Sequence, residues 1–190
     1  CSRRRVDGRH LLRMLGATGQ SWGGIELGAF LRSLPKERFE MSACEGRILD
    51  YAVLPSLDDP CGYYLVYRDL IECGETQQRT GLTNLPKKPE TYGALRELAL
   101  QVLDPVIEEY GMIKLTYGFS SPELSREIPA RIAPKVDQHA ACELNRRKRL
   151  ICSRLGAAAD FIVEDENMLE VAQWIVSHCS FDRLYFYGDK

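Results

Sequence analysis

Histidine is scarce in this chain, with three among 190 residues, so any imidazole-based site must draw on His10, His139 or His178. Long apolar runs are missing as well. None approaches the roughly 18 residues of a membrane span. Neither sign of charge dominates, with 25 Lys+Arg against 27 Asp+Glu and a formal charge of −2. That balance argues against a general nucleic-acid coat or a polybasic membrane anchor. The glycine-rich stretch 16–24 lacks the Gly-Lys-Ser/Thr ending of a phosphate-binding P-loop and reads as a turn. The seven cysteines, at 1, 44, 61, 73, 142, 152 and 179, are odd in number and without tight spacing. They read as free thiols in a reducing compartment, so a cytoplasmic location is expected. The chain opens at Cys1 with neither an initiator Met nor a charged-then-apolar leader, and its true ends are expected to lie outside the sequence.

What is present suffices for a core: 45% of the residues are apolar, enough for one or two globular domains. Residues 1–60 form an Arg- and Gly-rich segment of unknown role. Helical patterns are expected at His10–Leu15 and Ile25–Leu34, and a strand at Arg47–Leu54 before Pro55. The second part, 61–190, is more regular. Apolar positions Tyr92, Leu95, Leu98, Ala99, Val102, Leu103, Val106 and Ile107 predict an amphipathic helix over 91–110, kinked at Pro105 and stopped at Gly111. A strand is predicted at Met112–Tyr117. A helix is predicted from Ser121-Pro122-Glu123 to Ile128, then a loop punctuated by Pro129 and Pro134. Ala157–Val163 reads as a buried strand, Arg183–Tyr187 as a last strand, and Glu166–Cys179 as a helix presenting Met168, Leu169, Ala172, Ile175 and Val176. Helices and strands mix without strict alternation, which predicts an α+β fold.

Two polar residues stand out. His139 leaves a proline-bounded loop among polar neighbours, and Asp160 interrupts the small-residue strand Gly156-Ala157-Ala158-Ala159-Asp160. A carboxylate in an apolar strand is expensive to desolvate unless it is paired or bound to a cation. Asp160 either accepts backbone hydrogen bonds at a strand end or meets a metal. His178, late in its helix, reads as a group favoured by the negative helix end.

The order of motifs carries a resemblance. Tyr67-Arg68-Asp69-Leu70-Ile71, Glu75-Thr76, Gly81 and Asn84-Leu85-Pro86 come first, then Leu95-Arg96-Glu97-Leu98 and Leu103-Asp104-Pro105-Val106. Tyr117-Gly118-Phe119-Ser120-Ser121-Pro122-Glu123-Leu124 follows, and then His139 with Gly156-x-Ala158-x-Asp160. Over about 63–190 this series resembles the zinc D-Ala-D-Ala carboxypeptidase family. The resemblance implies a Hedgehog/DD-peptidase-like fold, with a small central antiparallel sheet and packed helices. It also implies zinc held by His139 and Asp160, substrate contacts at Ser120 and Asp137, and hydrolysis of an amide bond in a peptide. A third ligand, a histidine after the last strand, is implied beyond Lys190.

The departures are specific. Sixteen residues separate His139 from Gly156 where the family has two. An ungapped reading puts Ser153 at the histidine position. Ser120 stands where the family has a carboxylate-gripping arginine, and Asp137 where it has a serine. Between Arg131 and Arg154 there are seven basic and two acidic residues, so the insertion, 146–154 above all, is an alternative contact for an anionic partner such as nucleic acid. His139, Cys142, Cys152 and Asp160 form another possible zinc set, of the closed structural kind; two buried, unliganded cysteines are the simpler account. Asp182 and Asp189, near the final strand, read as turn or strand-end residues, and no general base is assigned. A divergent metallopeptidase and a non-catalytic binding module of the same fold therefore both remain open.

Overall fold

The computed structural model describes residues 11–15, 54–128 and 137–187. The expected elements at 25–34 and 47–53, the glycine-rich stretch, the loop at 129–136, His10 and Asp189 lie outside them.

The predicted 91–110 helix forms as one continuous rod with a local widening. Helix α3 (Pro89–Leu98) passes through a π-helical turn, Ala99–Leu103, into α4 (Asp104–Tyr110). Pro105 explains the widening. It has no N–H to offer the carbonyl four residues back, and its ring would crowd that carbonyl. The chain instead bonds Asp104 N–H to the Ala99 carbonyl, five residues back. Gly111, at φ 88°, ends the rod where a side chain would be strained. Leu95, Leu98, Ala99, Val102, Leu103 and Val106 are fully buried along one face.

Short helices α1 (Tyr67–Ile71) and α2 (Glu75–Thr80) precede this rod. Strand β2 (Ile113–Tyr117) follows it, then β3 (Ala158–Val163), α5 (Met168–His178) and β4 (Arg183–Tyr187). With β1 (Leu11–Leu15) they make a four-stranded antiparallel sheet in the order β2-β3-β1-β4. The architecture is α+β, as expected.

Three expectations need correction. Leu11–Leu15 is a strand rather than part of a helix: its Leu- and Met-rich run suits either state, and pairing to β3 on one side and β4 on the other decides it. Residues 11–15 of the N-terminal segment thus share a sheet with the 61–190 part. The helix expected from Ser121 to Ile128 shrinks to a 3₁₀ turn, Leu124–Arg126, capped by Ser121 Oγ on Leu124 N at 3.1 Å. In α5 the buried face is Met168, Val171, Ala172 and Ile175, while Leu169 and Val176 are exposed. Position 171 completes the i, i+3, i+4, i+7 stripe that the core requires.

Every residue of β3 is buried, so both faces of this strand are covered. By alternation Asp160 shares a face with Ala158 and Ile162. Among the described residues no helix is long and apolar enough to cross a membrane.

Candidate metal centre

Asp160 enters the core because β3 carries it there, and the end of β2 is shaped to meet it. Leu115 pairs with Phe161, but the next pair is Tyr117 with Asp160, so Thr116 is an extra residue in a β-bulge. A bulge re-aims the side chain that follows it. Thr116 Oγ1 donates to the Asp160 carbonyl at 3.1 Å, and the Tyr117 ring lies 4.2 Å, centroid to centroid, from the imidazole of His139.

His139 arrives by a different route. It sits in a 3₁₀ turn, Gln138–Ala140, whose N-cap is Asp137; Asp137 Oδ1 accepts from His139 N at 3.1 Å. Oδ2 of the same carboxylate accepts from Ser125 Oγ at 2.6 Å, and Ser125 Oγ lies 2.9 Å from Ser120 Oγ. The backbone closes the frame, with Ser120 N donating to the His139 carbonyl at 3.0 Å.

These two approaches bring His139 and Asp160 together. Nε2 of His139 lies 3.5 Å from Oδ1 of Asp160, and both side chains are almost fully buried. Nδ1 of His139 lies 2.8 Å from the Gly118 carbonyl. A carbonyl only accepts, so Nδ1 carries a proton and donates it. In the neutral imidazole Nε2 then presents a lone pair, and it has no hydrogen-bond partner among the described residues. A lone pair facing a carboxylate oxygen is repulsive until a proton or a cation comes between them. Two donors at about 2.0–2.1 Å from a tetrahedral zinc stand about 3.3–3.4 Å apart, so the observed separation fits one edge of such a site. An Nδ1–H bond to a carbonyl is also the usual outer-shell support for a histidine ligand. The pair therefore fits as two donors to one cation, although no group of three or more His, Cys, Asp and Glu side chains converges among the described residues.

Comparison with protein-family models, with curated proteins and with solved structures finds no match. The resemblance of motifs thus rests on the residues themselves.

The other expected positions fall as follows. Ser153 is exposed, so it is His139 that faces Asp160 and the intervening residues loop out. They do so as a hairpin-like excursion: Leu144 bridges Leu150, and Asn145 Oδ1 accepts from Arg147 N at 2.8 Å and Arg149 N at 3.1 Å. Its ends are marked by left-handed residues, Ala141 at φ 46° and Leu155-Gly156 at 57° and 84°. The closed zinc set does not assemble among the described residues. Cys142 and Cys152 are buried free thiols. Ser120 is fully buried, with its hydroxyl engaged by Ser125, which leaves no face for direct substrate contact. Asp137 borders an open cleft while capping the turn of His139. Asp182 pairs with Arg154 at 3.2 Å and Arg183 at 3.8 Å, a turn residue as expected. His178 Nδ1 lies 2.8 Å from the Trp174 carbonyl and its ring stacks on Trp174, consistent with a helix-end role.

Two positioning residues escaped the reading of motifs. Gly118 supplies the carbonyl that orients His139, and a Cβ there would run into the Leu70 carbonyl. Buried Asn84 donates to the Ile71 and Phe119 carbonyls at 2.6 and 2.8 Å and accepts from Ser121 N at 2.7 Å, tying α1 to the 118–121 turn. Both lie inside the motifs that carry the resemblance, but no spacing rule indicated what they touch.

Proposed function

We propose that this chain carries a divergent zinc hydrolase site of the D-Ala-D-Ala carboxypeptidase type, acting on an amide bond, with His139 and Asp160 as two of the metal's protein ligands. One observation carries the reading: Nε2 of His139, left as an acceptor by the Gly118 contact, faces Asp160 Oδ1 at 3.5 Å inside the core. When bound, zinc supplies Lewis-acid activation of water and of a substrate carbonyl. The chain's own groups prepare for it. Gly118 holds the imidazole in the tautomer whose Nε2 is free to ligate. Asp137 fixes the turn that presents the ring, and Tyr117 packs on the ring and limits water around it.

The second reading, a non-catalytic binding module of the same ancestry, draws support from the near-complete burial of both side chains, since a hydrolytic centre needs an approach for substrate. The loss of the turn arginine at Ser120 points the same way.

Zinc titration of the chain, followed by elemental analysis, tests the ligand assignment. His139→Gln and Asp160→Asn are each expected to lower zinc affinity by more than about 10-fold, with circular dichroism unchanged. Folded variants that retain zinc as the parent does would overturn the assignment. Release of D-Ala from an acetylated peptide ending in D-Ala-D-Ala separates the two readings: turnover that falls with both variants supports the hydrolase, and zinc binding without turnover supports the module.

A further inference from the structure

Beside the metal pair, and lined by neither of its members, lies an open cleft of ≈ 450 Å³. Its wall brings together Arg126, from the 3₁₀ turn after β2, with Arg146 and Arg147, from the tip of the excursion. Ser125, Asp137 and Asn145 supply the polar remainder. The volume falls within the range of small-molecule sites.

We infer that this cleft is a binding site for the oxyanion group, carboxylate or phosphate, of a small ligand, built by the excursion together with the 124–126 turn. Among the described lining residues there are three arginines and one carboxylate, Asp137, which is already engaged by Ser125 Oγ and His139 N. Arg126, Arg146 and Arg147 are all exposed at the cleft, and none of them makes an ion pair among the described residues. Planar guanidinium groups recognise both oxyanions through paired N–H bonds. The tip that carries two of them is pre-shaped: Asn145 Oδ1 caps the N–H groups of Arg147 and Arg149, Asn145 N donates to the Arg149 carbonyl at 2.8 Å, and Lys148 takes the left-handed turn position at φ 57°. A loop ordered before binding loses less entropy on capture. Among the described residues no aromatic side chain lines the cleft, so those residues offer no stacking platform of the kind that holds single-stranded nucleic acid.

The test titrates the whole chain with inorganic phosphate and, separately, with N-acetylglycine, followed by NMR chemical shifts. EDTA is present throughout, so that a metal at His139 and Asp160 contributes nothing. Saturable shifts at Arg126, Arg146 and Arg147 with either anion support the site, and the tighter of the two identifies the source of the oxyanion. Arg126→Gln, and Arg146→Gln with Arg147→Gln, are each expected to weaken that anion at least 10-fold without altering the far-ultraviolet spectrum. Binding that is absent with both anions, or unchanged in the variants, overturns the site. An oligonucleotide that binds where both small anions fail overturns it in favour of a nucleic-acid surface.

Discussion

At the scale of single residues, the decisive contact is between a backbone carbonyl and an imidazole. Gly118 performs two tasks that only glycine can combine: its carbonyl orients His139, and its missing side chain lets the 118–119 backbone lie against Leu70, where Phe119 N donates to the Leu70 carbonyl at 2.7 Å. Gly118→Ala forces backbone against Cβ. It is expected to destabilise the protein by about 1–3 kcal/mol or more, read as a lowered urea midpoint. Zinc affinity should fall with it, because the turn that orients the imidazole must shift. An alanine variant with parent stability would show that the close approach is not obligatory. The histidine and the aspartate were both legible from the chain, one by its scarcity and the other by its incongruity in an apolar strand. Gly118 was not, because a glycine required for close approach looks like any other until the neighbouring backbone is seen.

At the scale of elements, the excursion between His139 and β3 is anchored to the helical rod by one buried carboxylate. Glu143 Oε1 accepts from Lys87 N and Lys88 N at 3.0 Å and from Thr91 Oγ1 at 2.9 Å, at the N-terminal end of α3. Donors there are otherwise unsatisfied and the dipole favours negative charge. Glu143→Ala leaves these donors without an acceptor and should cost about 3 kcal/mol, whereas Glu143→Gln keeps an oxygen and costs less. Limited trypsin digestion reads the local effect: cleavage at Arg146–Arg149 should accelerate in the alanine variant before global unfolding does. Equal cleavage rates in parent and variant would show that the excursion holds its shape without this anchor. Element identity was legible wherever a pattern ran long, as in 89–110 and 168–178. It failed at Leu11–Leu15, where five residues carry no period that separates helix from strand and the neighbouring strands decide.

At the scale of the whole molecule, one buried and one half-buried thiol shape the response to alkali. Burial pushes Cys61 up to about 12, with Asp104 and Asp69 adding to the effect, and pushes Cys73 up to about 12, with a contribution from Asp160. In the unfolded chain both titrate near the ordinary thiol value of 9.0. Between about pH 9 and 12 the unfolded state therefore binds fewer protons than the native state, and stability falls as pH rises. Tyr92, raised by burial, acts in the same direction, and Tyr185, lowered by its bond from Arg183, acts in the opposite one. Urea midpoints should decline from pH 9 to 11, and Cys61→Ala with Cys73→Ala should flatten that decline. A pH-independent midpoint in the parent would contradict thiols held protonated by the fold.

By itself the sequence determined the α+β class, the long helical rod, the buried strand and the two residues around which a cation site is proposed. Periodicity and the cost of burying a charge are properties of the chain alone. It took the folded arrangement to bring His139 rather than Ser153 to Asp160, to seal Ser120 inside, and to line one cleft with two arginines of the excursion and a third from the 124–126 turn. Contacts between segments far apart in the chain depend on how the backbone closes, and neither spacing nor composition encodes that closure locally.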